Sequence, residues 1–110
     1  MLKGLGDLTK MGGMLKQAME VKQRIEAFRE TLGDERIQGE SGAGMVTVQM
    51  SGRFDVLAVH IDPELVSRDQ VEALETLVQA AINSATEKTR EMVKQKMTEL
   101  TGGFEIPGLT

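Results

Sequence analysis

The chain has 110 residues and a net charge of −4; it has no cysteine, tryptophan or tyrosine, three phenylalanines and eight methionines. Disulfides, thiolate metal centres and cysteine nucleophiles are therefore excluded, and with His60 as the only histidine so is a histidine-rich metal cage within one chain. A pI near 5.0 argues against nucleic-acid binding by bulk charge alone, and the size is that of a single domain over residues 1–110.

In chain order, residues 7–31 predict one long helix. Heptad position a falls on Met11, Ala18, Ile25 and Leu32, and position d on Met14, Val21 and Phe28. Leu8 and Leu15 widen this coiled-coil-like seam. Gly12 and Gly13 interrupt it, at about 1 kcal/mol each relative to alanine. Gly33 is expected as the C-cap glycine. Three strands should follow, Arg36–Ser41, Met45–Met50 and Phe54–Ile61, joined by turns at Gly42-Ala43-Gly44 and Ser51-Gly52-Arg53. One face of the third strand is nearly all aliphatic and the other is mixed, and such a meander should be half covered by helices.

Asp62 then caps a short helical turn with Pro63 at its first position. Asp69, with Glu72 at capping-box spacing, opens a second long helix over about residues 70–100. Its seam runs Val71, Leu74, Val78, Ala81, Ala85 and then drifts to Met92, Val93, Met97 and Leu100. Residues 104–110 form a Gly/Pro-containing tail, expected to be mobile. The fold class is α+β: long helix, three-stranded antiparallel meander, short helix, long helix. A helix of about 25 residues spans close to 40 Å, whereas a compact chain of this length has a radius of gyration near ~13 Å. A homodimer with projecting helices resolves that conflict and covers sheet edges; the alternative is a monomer whose two helices pair antiparallel.

Charge is distributed unevenly. Residues 1–24 hold five basic and two acidic side chains, net +3, and residues 86–96 hold four and two, net +2. Residues 55–75 hold one basic and six acidic side chains, net −5. If the long helices pack antiparallel, the two basic segments become neighbours and form a clamp. The bland alternative is a solvated surface with pairs such as Glu20–Arg24.

Catalytic constellations are not evident. His60 lies near Asp62 and Asp55, yet a strand-end histidine under a helix explains it more simply than a metal ligand. Gly39-Glu40-Ser41-Gly42-Ala43-Gly44 matches neither a nucleophile elbow nor a phosphate loop. No enzyme activity, cofactor, metal or small-molecule substrate is expected, and no large apolar pocket is foreshadowed. Apolar runs such as Val56-Leu57-Ala58-Val59 are too short for a transmembrane helix, and the N-terminus lacks a signal-peptide core. The expected location is the cytoplasm.

Several segments, taken together, carry a resemblance. Gly12-Gly13-Met14-Leu15-Lys16-Gln17-Ala18-Met19, Gly39-Glu40-Ser41-Gly42-Ala43-Gly44-Met45-Val46, Ile61-Asp62-Pro63-Glu64-Leu65 and Leu77-Val78-Gln79-Ala80-Ala81-Ile82-Asn83 occur in order. With Lys96-Met97, Gly102-Gly103 and Ile106-Pro107-Gly108 they resemble the YbaB/EbfC family of bacterial nucleoid-associated proteins across nearly the whole chain. The resemblance implies an α-β-β-β-α dimer with tweezer-like helices that binds double-stranded DNA with modest sequence preference, acting on nucleoid organisation and gene expression. The DNA contacts themselves are read from charge. Lys10, Lys16, Lys22 and Arg24, with Lys88, Arg90, Lys94 and Lys96, are expected to contact phosphates. Base stacking is disfavoured, because Phe28 and Phe54 read as core. A second class of function, a protein-interaction adaptor without direct nucleic-acid binding, rests on the acidic 55–75 band and the Met11/Met14 seam.

Overall fold

The computed structural model describes residues 2–100, with side chains from Lys10 onward. Its elements are helix α1 (Leu2–Asp34), strands β1 (Ile37–Ser41), β2 (Val46–Met50) and β3 (Val56–Ile61), two short 3-10 turns (Pro63–Leu65 and Arg68–Gln70), and helix α2 (Val71–Leu100). The strands form one antiparallel sheet in the order β1-β2-β3. This is the α+β order expected from the sequence. The chain divides into two compact units, α1 up to Thr31 and everything from Leu32 onward. The C-terminal tail and its glycine stop lie outside the described residues.

The second unit holds the core. Along β2 the side chains alternate, so Val46, Val48 and Met50 are buried together, whereas Gln49 faces solvent. Ala81 and Ala85 of α2 close over them, with Leu74, Leu77, Val78 and Ile82 packed partly buried around the edge. Gly39 of β1 explains how α2 comes so near. A Cβ on Gly39 would stand 2.2 Å from the Ala85 nitrogen and 2.5 Å from the Ala81 carbonyl oxygen. Only a residue without a side chain fits there, and only small residues on α2 fit opposite.

The turn between β1 and β2 is as left-handed as its glycines imply: Gly42 has φ 59° and Gly44 has φ 87°. Ala43 between them also has φ 55°. Ser41 turns its hydroxyl inward and donates to the Leu77 carbonyl at 2.5 Å, tying the turn to α2. Asp62 caps the first 3-10 turn as expected, accepting from the Glu64 N–H at 2.9 Å with Pro63 next in line.

Several expectations are corrected. Gly33 is no C-cap: α1 continues to Asp34, and Glu35 N–H donates to the Leu32 carbonyl at 3.2 Å in a tightened last turn. Gly33 instead leaves room for the Arg53 guanidinium, whose carbon stands 3.4 Å from the site of a Cβ. Asp69 is not an N-cap, because the chain enters α2 through the 3-10 turn that contains it. Ser67 holds the cap position of that turn, without a side-chain bond. The second hairpin is longer than three residues. A bulge at Gln49/Met50 and Phe54 at φ 67° delay β3 to Val56. The nearly buried Ser51 organises this loop, its hydroxyl accepting from the N–H groups of Arg53 (3.2 Å) and Asp55 (3.3 Å). Phe54 is consequently exposed, not core. Phe28 is only half-buried.

Helix cover of the sheet is partial, as expected, and β3 is the part left open. Its aliphatic face is not covered, because α2 lies over β1 and β2. Val56, Leu57 and Val59 are each close to half exposed. His60 is exposed as well, on the bare edge strand and not beneath a helix.

Candidate nucleic-acid interface

From Lys10 to Arg24, every residue of α1 is exposed. Lys10, Lys16, Lys22 and Arg24 therefore all reach solvent, and at 100° per residue they are spread around the helix rather than aligned on one face. Lys22 reaches Glu26 at 4.0 Å, an exposed i,i+4 pair worth a few tenths of a kcal/mol, about 0.3–0.5. The apolar heptad residues on the same stretch are equally bare: Met14 is 69% exposed, and Met11, Met19 and Val21 all exceed half.

The basic segment of α2 is split by the helical period. Thr89 is buried, and Met92, Val93 and Lys96 are partly covered, which fixes the inward face. Arg90 and Lys94 point the other way and are exposed. Arg90 pairs with Glu87 one turn earlier. Lys88 crosses to the sheet and donates to the Gln38 carbonyl at 3.2 Å. Lys96 is half-buried and pairs with Glu35 at the start of the sheet unit. Two of the four cations thus fasten α2 to the polypeptide near β1, and Arg90 and Lys94 face outward. The first basic segment belongs to one compact unit and the second to the other.

Two arginines at the end of α1 were not singled out from sequence. Arg36 donates to the carbonyls of Gly33 and Glu35, both at 2.9 Å. Arg53 reaches the same helix end from the β2–β3 loop. They sit where a helix leaves its last carbonyls unpaired and its dipole is negative. An arginine two residues past a helix is the sequence signal for Arg36; Arg53 has none, since only the fold brings it there.

One further surface is an open apolar groove of about 510 Å³ between β3 and α2. Ile61, Leu74, Val78 and Ile82 form its floor, with Glu75 and Gln79 on the rim. The sequence foreshadowed no such feature, because it arises from the offset of α2 away from β3. Among the described residues no group of three or more His, Asp or Glu side chains could hold a metal ion. No described helix is long and apolar enough to cross a membrane.

The fold and its charges define a class: an α+β module that presents basic side chains on two long helices. Similarity to known proteins narrows it. The sequence model of the YbaB/EbfC DNA-binding family matches residues 7–104. A nucleoid-associated protein of Caldanaerobacter subterraneus subsp. tengcongensis is 41% identical over 99 residues, covering 90% of this chain and 89% of that protein. A nucleoid-associated protein of Rhodospirillum rubrum is 43% identical over 97 residues, covering 88% and 91%. The crystal structure of uncharacterized protein HP0035 from Helicobacter pylori shares the fold with a TM-score of 0.68 at 24% identity, covering 83% of this chain and 92% of that one. The chain belongs to the YbaB/EbfC DNA-binding family.

Proposed function

We propose that the protein is a nucleoid-associated protein that binds duplex DNA as a homodimer with low sequence specificity, in the bacterial cytoplasm, and so influences nucleoid organisation and gene expression. One observation carries the reading. On a chain of net −4, the basic side chains Lys10, Lys16, Lys22, Arg24, Arg90 and Lys94 stand exposed on long helices. Such cations attract phosphates through charge and counterion release without reading base edges. Lys88 and Lys96 contribute less, because each is tied across to the polypeptide near β1, at Gln38 and Glu35, whereas Lys22 and Arg90 pair only with a carboxylate one turn away on their own exposed helix face. The homodimer is supported by the bare β3 edge and the bare heptad face of α1, both too apolar to be left in water.

Fluorescence anisotropy of a labelled random-sequence duplex, titrated at several salt concentrations, tests the reading. Binding should weaken with salt at a log–log slope of about −0.9 per phosphate contacted. Replacing Lys88, Arg90, Lys94 and Lys96 with alanine should weaken binding equally on unrelated sequences and flatten that slope. Unchanged binding by the quadruple variant would remove the α2 cations from the interface. Sedimentation equilibrium tests the dimer separately. The adaptor reading draws on the exposed Met11, Met14 and Met19. Protein partners retained from lysate after nuclease treatment would favour it.

A further inference from the structure

The chain holds no cysteine, tryptophan or tyrosine, so thioether sulfur is its most readily oxidised group. Its methionines are not equally reachable. Met11, Met14 and Met19 on α1 are each more than half exposed. Met45, Met92 and Met97 are partly covered, and Met50 is buried. The three open ones fall among the lysines of the first basic segment, Lys10, Lys16 and Lys22. Helical spacing brings two of them beside those lysines: Met14 follows Lys10 by four residues, and Met19 follows Lys16 by three. Helical side chains lean toward the N-terminus, so each of these thioethers lies over the turn that carries its lysine. Lys16 and Met19 line one open hollow on α1, together with Leu15 and Glu20.

We infer that Met11, Met14 and Met19 form a reversible oxidation site, and that their conversion to sulfoxides by a peroxide weakens DNA binding. The inference rests on the DNA-binding reading and adds a control to it. In the oxidation step the thioether sulfur attacks one oxygen of hydrogen peroxide. An S–O bond forms, the O–O bond breaks and water leaves, so sulfur loses two electrons and the peroxide gains them. The product is polar, and its oxygen is a strong hydrogen-bond acceptor where the thioether sulfur is a weak one. At positions 14 and 19 that oxygen accepts from the ammonium groups of Lys10 and Lys16, which are then less available to phosphate. Met11 has no lysine one turn before it and contributes only the change from an apolar to a polar surface. A methionine sulfoxide reductase reverses the step with two thiols, which become a disulfide as the oxygen leaves in water.

Graded hydrogen peroxide, followed by peptide mass mapping and duplex anisotropy, tests the inference on the full chain. Met11, Met14 and Met19 should gain oxygen first and Met50 last. Oxidised protein should bind a random-sequence duplex about two- to fivefold more weakly, with a shallower salt slope. Reductase treatment should restore both. The Met11→Leu/Met14→Leu/Met19→Leu variant, whatever its own affinity, should keep it through the same peroxide treatment. Protection of all three methionines to the level of Met50 would overturn the inference, since that stretch of α1 would then be covered in solution. An equal loss of affinity in the triple-leucine variant would overturn it in favour of Met45, Met92 or Met97. Lys10→Ala/Lys16→Ala should blunt the effect of oxidation, and an undiminished effect would refute the lysine contacts. DNA binding that oxidation leaves unchanged sinks the inference and leaves the DNA-binding reading standing; no binding by the reduced protein sinks both.

Discussion

The two long helices are nearly equal in length, 33 and 30 residues, and their sequences both carry an apolar stripe, yet their fates differ. In α2 the stripe Ala81, Ala85, Thr89 is fully buried, because Gly39 opens a site on β1 into which a helix of small residues settles. In α1 the stripe from Met11 to Val21 is open to solvent. Burial first deepens near its end, at Leu32, whose carbonyl accepts the Gly52 N–H at 2.8 Å. An apolar period therefore predicts that a helix has an inner face. It does not say whether the other wall belongs to the same chain. That depends on a complementary surface, and here Gly39 supplies one for α2.

The sharpest way to break the contrast is Gly39→Ala. The new methyl would meet backbone atoms of Ala85 and Ala81 at 2.2 and 2.5 Å. Neither can move without shifting α2, so the substitution should cost about 3 kcal/mol or more. Urea denaturation would measure it. Ordinary stability in Gly39→Ala would mean that α2 does not depend on this contact. Next in size is a pair of methionines. Met50 is 2% exposed and Met14 69%. Met50→Ala should lose about 2–4 kcal/mol. Met14→Ala should change the stability of an isolated chain by under about 0.5 kcal/mol, and any larger loss that grows with dilution would show α1 packed on another copy.

A smaller effect distinguishes the cations. Lys94→Ala should weaken DNA binding more than Lys96→Ala, because Lys96 is held by Glu35 and Lys94 is exposed. Lys96→Ala should instead lower stability by up to about 1 kcal/mol, less at high salt. Equal effects of the two variants on anisotropy titrations would mean that the Lys96–Glu35 pair opens to release the cation.

How much of this was legible differs by region for physical reasons. The element order follows from local patterns: a β-branched run at Val46–Val48, an aliphatic run at Val56–Val59, a left-handed turn at Gly42–Gly44, and a cap at Asp62-Pro63. The bare β3 was not legible, since which strands α2 covers is decided by the meeting of Gly39 with Ala81 and Ala85, about forty-five residues away. Small residues on both partners are a signal that could have been read. The exposed cations were found by counting charge, but counting could not sort Lys96 from Lys94. Glu35 lies 61 residues from Lys96 in sequence, and only the fold brings them together. Phe54 reads as core from sequence, since an aromatic residue bordering a strand run normally packs inward, yet it is exposed. Its left-handed backbone turns it out.

Thr89 offers the finest test of how α2 is held. It is fully buried on the inner stripe, and its hydroxyl oxygen has no hydrogen-bond partner among the described residues. A buried hydroxyl without a partner costs about 1–3 kcal/mol relative to an apolar group of the same shape. Valine has that shape. Thr89→Val should therefore stabilise the fold by about 1 kcal/mol, read as a higher urea midpoint with an unchanged m-value. The same change would leave DNA binding untouched, because residue 89 faces the sheet while Arg90 and Lys94 face solvent. A destabilised Thr89→Val would show that the hydroxyl finds a partner in solution, and the tightest part of the α2–sheet contact would then be polar at its centre rather than purely a matter of small side chains.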